Sequence, residues 1–97
     1  MFARVTTVSV QPDKVAEVTR IYNESILPGV QAASGNHGAM LLTDAATGKG
    51  LSITIWETRE AGDAYDASGS YRELVGKVAP FFTAAPTLDT YEITAQG

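Results

Sequence analysis

The stretch GLSITIWE, residues 50–57, decides the fold of this chain. Leu51, Ile53, Thr54, Ile55 and Trp56 are the large apolar, β-branched or aromatic residues that suit a pleated surface buried on both faces. The run ends in the only tryptophan and passes directly into an acid- and alanine-rich segment, residues 58–70, that reads as a helix. Such a strand needs a cover on each face. The chain's own helices can supply one, but 97 residues leave little material for the other, so a partner subunit is expected there.

Outward from that strand the hydrophobic period switches in a readable order. Residues 2–10 alternate and are rich in Val and Thr, and Gln11-Pro12-Asp13 then places a proline and an acid where a helix starts. Val15, Val18, Thr19, Tyr22, Ser25 and Ile26 recur at spacings of three and four, making one narrow helical face. Pro28-Gly29 is expected to interrupt that helix, with at most a short further turn before Ser34-Gly35-Asn36. A second strand is expected over residues 37–44, a hairpin loop over 45–49 with Gly48 at positive φ, and the third strand over 50–57. Thr58 reads as the N-cap of the second helical region, which Gly69 should divide in two. A fourth strand is expected over residues 87–95.

Composition narrows the function classes. Hydrophobic residues at 44% and charged residues at 19% are those of an ordinary globular chain, here a single domain over residues 1–97. A net charge of -4 offers no basic patch for a phosphate backbone, so nucleic acid is not an expected partner. With no cysteine and one histidine, disulfides, thiolate chemistry and the usual zinc or iron–sulfur ligand sets are not expected, and with no glycine-rich nucleotide motif neither flavin nor nicotinamide is, so no cofactor is expected. The first ten residues carry an arginine and alternate like a strand rather than a secretory signal, and no apolar run is long enough to span a membrane. A cytoplasmic location is the resulting expectation.

The order βαββαβ predicts an α+β, ferredoxin-like fold, a four-stranded antiparallel sheet with two helical regions on one face. The other face would then show apolar rows from every strand, more than a monomer exposes, and two sheets facing each other in a homodimer would cover it. Gly48-Lys49-Gly50 belongs to a hairpin and lacks the spacing of a phosphate loop.

Four stretches, ARVTTVSVQPDKVAEV, GNHGAMLL, LSITIWET and YDASGSYRELV, in this order and at this length, resemble the antibiotic biosynthesis monooxygenase family of the dimeric α/β barrel superfamily. The resemblance covers nearly the whole chain. It implies the fold more specifically than the activity, because the superfamily includes oxygenases, heme-degrading enzymes, isomerases and proteins with no assigned reaction. Against the helix of heme-degrading relatives, which carries a tryptophan, a serine, an aromatic and a histidine, this chain reads Tyr65, Ser68, Tyr71 and Val75; valine stands where the iron ligand would be. Against cofactor-free relatives that oxidise polycyclic phenols, Trp56 matches, Ser52 replaces an amide residue, and Tyr65 and Arg72 match approximately.

The resemblance and the residue types together single out Trp56, Tyr65, His37 and Arg72 as catalytic candidates, and Ser52, Thr54, Thr7, Tyr22 and Tyr71 as ligand-binding candidates. Trp56 with Ser52 and Thr54 on one strand face would set an aromatic wall beside hydroxyl groups, and histidine is the residue type that most often serves as a general base, so His37 is the candidate for removal of a phenolic proton. Each has a plainer alternative. Trp56 and the tyrosines can be core, Arg72 a surface partner of Glu73, His37 a solvated imidazole, and the threonines simply strand formers. The expected function is a homodimer binding a small hydrophobic or aromatic molecule, with cofactor-independent monooxygenation of a phenol or quinol as the reaction. The alternatives are a non-catalytic ligand-binding or structural dimer and an isomerase-like protein of the same superfamily.

Overall fold

A computed structural model describes all residues from Met1 to Gly97. Four strands, β1 (Phe2–Ser9), β2 (Asn36–Thr43), β3 (Lys49–Trp56) and β4 (Thr87–Glu92), form one antiparallel sheet in the order β2-β3-β1-β4. The helices α1 (Val15–Ile21), α2 (Leu27–Gln31), α3 (Arg59–Asp66) and α4 (Gly69–Gly76) lie between the strands in sequence, so the chain has the ferredoxin-like α+β plan. Strand bounds differ from the sequence reading by one residue for β2 and β3, while β4 stops three residues earlier than expected.

The first helical region departs from expectation. Pro28 and Gly29 do not interrupt it: the helix runs through them as α2. A π-helical turn over Tyr22–Ile26 comes first, and its extra residue lets the Leu27 N–H bond to the Tyr22 carbonyl, five positions back. Pro28 then falls in the opening turn of α2, where its missing N–H costs no internal bond. In the second region Thr58 caps α3 as expected, its hydroxyl accepting from Ala61 N–H at 3.1 Å. The division between α3 and α4 is made by Ser68, which accepts from the Tyr71 N–H at 3.2 Å and so starts a new helix. Gly69 is merely the first residue of that helix.

Register assigns every strand residue to a face. Phe2, Arg4, Thr6 and Val8 of β1 share a side with Trp56, Thr54, Ser52 and Gly50 of β3, with Ala39 and Leu41 of β2, and with Leu88 and Thr90 of β4. Residues of this set line the space beneath the helices. The opposite face carries Val5 and Thr7 of β1, Leu51, Ile53 and Ile55 of β3, Met40 and Leu42 of β2, and Tyr91 of β4. Met40 is 49% exposed and Leu42 46%, and Leu51, Ile53 and Ile55 beside them are only half-buried, so the sheet is covered on one side alone within the single chain.

Val10, Val15, Val18 and Val78 form the apolar core at one end of the helical layer, with Ile21, Ile26, Phe81 and Phe82 packed around it. The β2–β3 hairpin is tied to that core by Gly48, whose N–H and carbonyl bond to Asp44 and Val10 respectively. Gly48 has φ 80, and a Cβ there would collide with the Val10 carbonyl oxygen. Gly48→Ala is therefore expected to lower the unfolding free energy by about 2–3 kcal/mol, read as a lower urea midpoint with an unchanged slope. A midpoint equal to that of the unsubstituted protein would contradict this account of the hairpin.

Candidate functional site

Between the helix-facing side of the sheet and the helices lies a cavity of about 100 Å³. The sheet supplies Arg4, Thr6, Val8, Leu41, Ser52, Thr54 and Leu88; α1 and the π turn supply Val18, Tyr22 and Ile26. Tyr65 and Asp66 close it from α3, and Tyr71, Leu74 and Val75 close it from α4. Most of the lining is apolar, with hydroxyl groups at a few points, the usual composition of a small-molecule pocket. Its volume is below the roughly 150 Å³ of an apolar cavity that takes benzene, so even a single aromatic ring would enter only with small side-chain shifts. A polycyclic ligand would have to displace side chains.

Of the nine candidates read from the sequence, the cavity gathers five: Tyr65, Ser52, Thr54, Tyr22 and Tyr71. Trp56, expected as the wall, stands behind it. Its side chain is 0% exposed and lines no part of the cavity, its indole N–H donates to Thr54 Oγ1 at 2.8 Å, and its ring packs at 5.2 Å between centroids against Tyr65. Tyr65 in turn meets Tyr71 edge to face at 5.4 Å. This chain of rings holds Tyr65 in place, with Trp56 as its buried support. Gly62 makes the support compact: a Cβ there would come within 3.2 Å of the Trp56 ring and 2.7 Å of Arg4 Cδ.

Three candidates fall outside the cavity. Thr7 lies on the opposite sheet face, paired with Leu51 and Thr87, because strand alternation sends it away from Thr6. His37 is exposed at a bulge in β2, where the register shifts between Asn36 and Gly38. The Asn36 side chain pins that bulge by donating to the carbonyls of Gly38 and Ile55, each at 3.1 Å, and accepting from the Gly38 N–H at 3.0 Å. Arg72 is exposed on α4 and lines no part of the cavity.

Sequence reasoning missed Arg4 and Asp66. Arg4 is 7% exposed and pairs with two carboxylates of α3, Asp63 Oδ1 at 2.8 Å and Asp66 Oδ2 in a closer contact. Asp63 is 60% exposed, whereas Asp66 is 25% exposed and lines the cavity. The signal was present. An arginine in register with inward-facing Phe2, Thr6 and Val8 tends to be buried, and a buried guanidinium requires acids, which stand three residues apart on one face of α3.

The phenols differ in their partners. Tyr22 is 5% exposed, and no group meets hydrogen-bond geometry with its hydroxyl. Burial pushes its pKa above the ordinary 10.0, and the Ser52 side chain, close enough to act on the phenol as a hydrogen-bonding group, offsets part of that rise. Tyr65 is also raised, first by burial and then by the proximity of Tyr71 and Tyr22, whose phenolates would repel its own. Both remain protonated at neutral pH and act as hydrogen-bond donors rather than bases.

The residues present do not fit a histidine-ligated heme. No histidine lines the cavity, Val75 occupies the aligned helical position, no three His, Asp or Glu side chains converge, and the volume is far below that of a tetrapyrrole. No helix is long and apolar enough to cross a membrane.

Comparison with known proteins agrees with the architecture. The structure of the heme-degrader MhuD from Mycobacterium tuberculosis, with two hemes bound in its active site, superposes with a TM-score of 0.81 at 17% identity, covering 100% of this chain and 99% of that one. Rv0793 from the same organism superposes with a TM-score of 0.76 at 18% identity, covering 98% and 96% of the two chains. At such identities the likeness speaks for the fold. Among curated proteins, the uncharacterized Rv2557 of Mycobacterium tuberculosis is 26% identical over 95 residues, which is 98% of this chain and 42% of that protein's length. The family model described as antibiotic biosynthesis monooxygenase matches residues 1–77, and with the sheet, helices and enclosed cavity in place, the chain belongs to the antibiotic biosynthesis monooxygenase family.

Proposed function

We propose that this protein is a homodimer whose cavity binds a single-ring phenol or quinol and oxygenates it without a metal or organic cofactor. The observation that carries the reading is the Tyr22 hydroxyl, buried with no group in hydrogen-bond geometry and with only the Ser52 side chain beside it, in a residue that lines a mostly apolar cavity. An unsatisfied buried hydroxyl costs about 1–3 kcal/mol, and a ligand oxygen placed against it would remove that cost. Thr54 adds a second contact, because its oxygen accepts from Trp56 while its own O–H is free to donate. In the reaction the substrate supplies all four electrons that dioxygen takes up: one oxygen atom replaces hydrogen on a ring carbon as a carbonyl, the phenolic C–OH becomes the second carbonyl, and the two hydrogens leave with the other oxygen as water, so that a phenol gives a quinone. The protein's part is to exclude bulk water, hold the ring against Tyr65 and place donors where negative charge develops on the substrate oxygen.

The dimer is supported by the apolar sheet face. Met40, Leu42, Leu51, Ile53, Ile55 and Val5 are contiguous there, a patch that a second sheet would remove from water. A second reading, ligand binding without turnover, is favoured by the placement of His37 and Arg72 outside the cavity.

Titration with 1,4-hydroquinone, followed by Trp56 fluorescence, tests the ligand. Binding is expected to be saturable, and Tyr22→Phe should weaken it about tenfold. The same substitution should leave folding stability equal or higher, since it removes the orphan hydroxyl. Oxygen uptake in chelator-treated, flavin-free solution separates turnover from binding alone. No saturable response to single-ring phenols or quinols would end this reading.

A further inference from the structure

Arg4 and Asp66 meet at the wall of the cavity, and the charge arithmetic of their cluster restricts what can bind beside them. One guanidinium faces two carboxylates, Asp63 and Asp66, so the cluster carries a net charge of -1. An anionic ligand group would be repelled at this end. Asp66 is the only carboxylate that lines the cavity, and a carboxylate only accepts hydrogen bonds; Arg4 occupies part of its lone-pair capacity and leaves the rest. A neutral donor therefore suits the position.

A second polar position lies further along the same sheet face. Arg4 is in register with Thr54, and Ser52, beside the Tyr22 hydroxyl, is in register with Thr6. The two levels are separated by two residues, about 6.6 Å along a strand, which is the order of one aromatic ring with an oxygen on each side. The Tyr22 hydroxyl, buried and outside hydrogen-bond geometry with any group, adds to Ser52 a second polar group at this level.

Building on the phenol-binding reading, we infer that Asp66 is the acceptor for a neutral hydroxyl of the ligand, with Arg4 as the positioning residue that holds the carboxylate, so that this end of the cavity selects a hydroxyl over an ether or a carboxylate. Gly62 belongs to the device: by letting α3 approach Arg4 without a side chain between them, it brings Asp63 and Asp66 down onto the guanidinium. Asp63 completes the charge balance from the solvent side and does not reach the ligand.

The experiment compares phenol, its methyl ether anisole, and benzoate, by fluorescence or calorimetric titration of the full chain. Unsubstituted protein should bind phenol about tenfold more tightly than anisole, as expected for a hydrogen bond to a charged acceptor, and benzoate more weakly than either. In Asp66→Asn the amide oxygen turns to Arg4 and the NH₂ faces the ligand, so the preference for phenol should vanish while anisole affinity stays within about twofold. Asp63→Asn makes the same change in charge outside the cavity, and its phenol preference should persist. A purely structural role for the ion pair would alter both variants alike and would leave the phenol-to-anisole ratio unchanged. If Asp66→Asn does not fold, the three-ligand comparison on the unsubstituted protein still decides. Equal binding of phenol and anisole, or benzoate as the tightest ligand, would overturn the assignment of Asp66 while leaving the cavity as a ligand site. Failure of phenol and anisole to bind at all would remove both.

Discussion

Ile53→Glu is expected to turn a dimer into a folded monomer at micromolar concentration. Ile53 lies in mid-sheet on the face away from the helices, between Met40 of β2 and Val5 of β1, so its side chain would sit at the centre of a sheet-to-sheet interface. Burying an unpaired carboxylate at such a position costs several kcal/mol, enough to weaken association by more than about a thousandfold. The same residue in the monomer faces water, so the fold should survive. Sedimentation equilibrium checks the expectation: the 10.2 kDa chain should sediment at twice that mass, and the variant at its own mass with an unchanged circular dichroism spectrum. A variant that stays dimeric would show that the dimer, if formed, uses another surface. A monomer in the unsubstituted protein would remove the dimer altogether.

Trp56→Ala is expected to cost about 3–5 kcal/mol of unfolding free energy, the range for truncating a buried aromatic. Trp56 is the largest fully buried side chain, packed against Tyr65 and the backbone at Gly62, and its indole N–H satisfies Thr54. A domain of this size commonly has 5–15 kcal/mol in total, so the variant would be close to unfolding at 37 °C. Trp56→Phe keeps the ring contact with Tyr65 and loses only the hydrogen bond and part of the volume, so it should cost markedly less. Urea denaturation of the two variants measures the difference. A cost below about 1 kcal/mol for Trp56→Ala would mean that the residue is not the support of the aromatic chain.

Trp56 also shows why the fold was more legible than the site. Its place at the end of an apolar strand, ahead of a capped helix, is written in local pattern: alternation, β-branching, and Thr58 before an acidic first turn. Whether its ring faces a cavity or fills the space behind one depends on Tyr65, nine residues later, and on the absence of a side chain at Gly62. Neither is visible in the period of the strand. Arg72 and His37 lie away from the cavity for related reasons. The rotation of α4 after the Ser68 cap carries Arg72 outward, and the bulge held by Asn36 leaves His37 exposed.

By itself, then, the sequence determined the order of strands and helices, the grouping of Ser52, Thr54 and Trp56 on one face of their strand, and the need to cover a second apolar face, because period-two and period-3.6 patterns are local; which of the two rows faces the helices came from the structure. It did not disclose the passage of the first helix through Pro28, since the compensating π turn lies upstream and answers to packing rather than propensity. Only the tertiary structure brought Arg4 of β1 onto Asp63 and Asp66, some sixty residues away, and left the Tyr22 hydroxyl without a partner. Burial of a charge or a hydroxyl is a property of everything packed around it, and no stretch of chain carries that information alone.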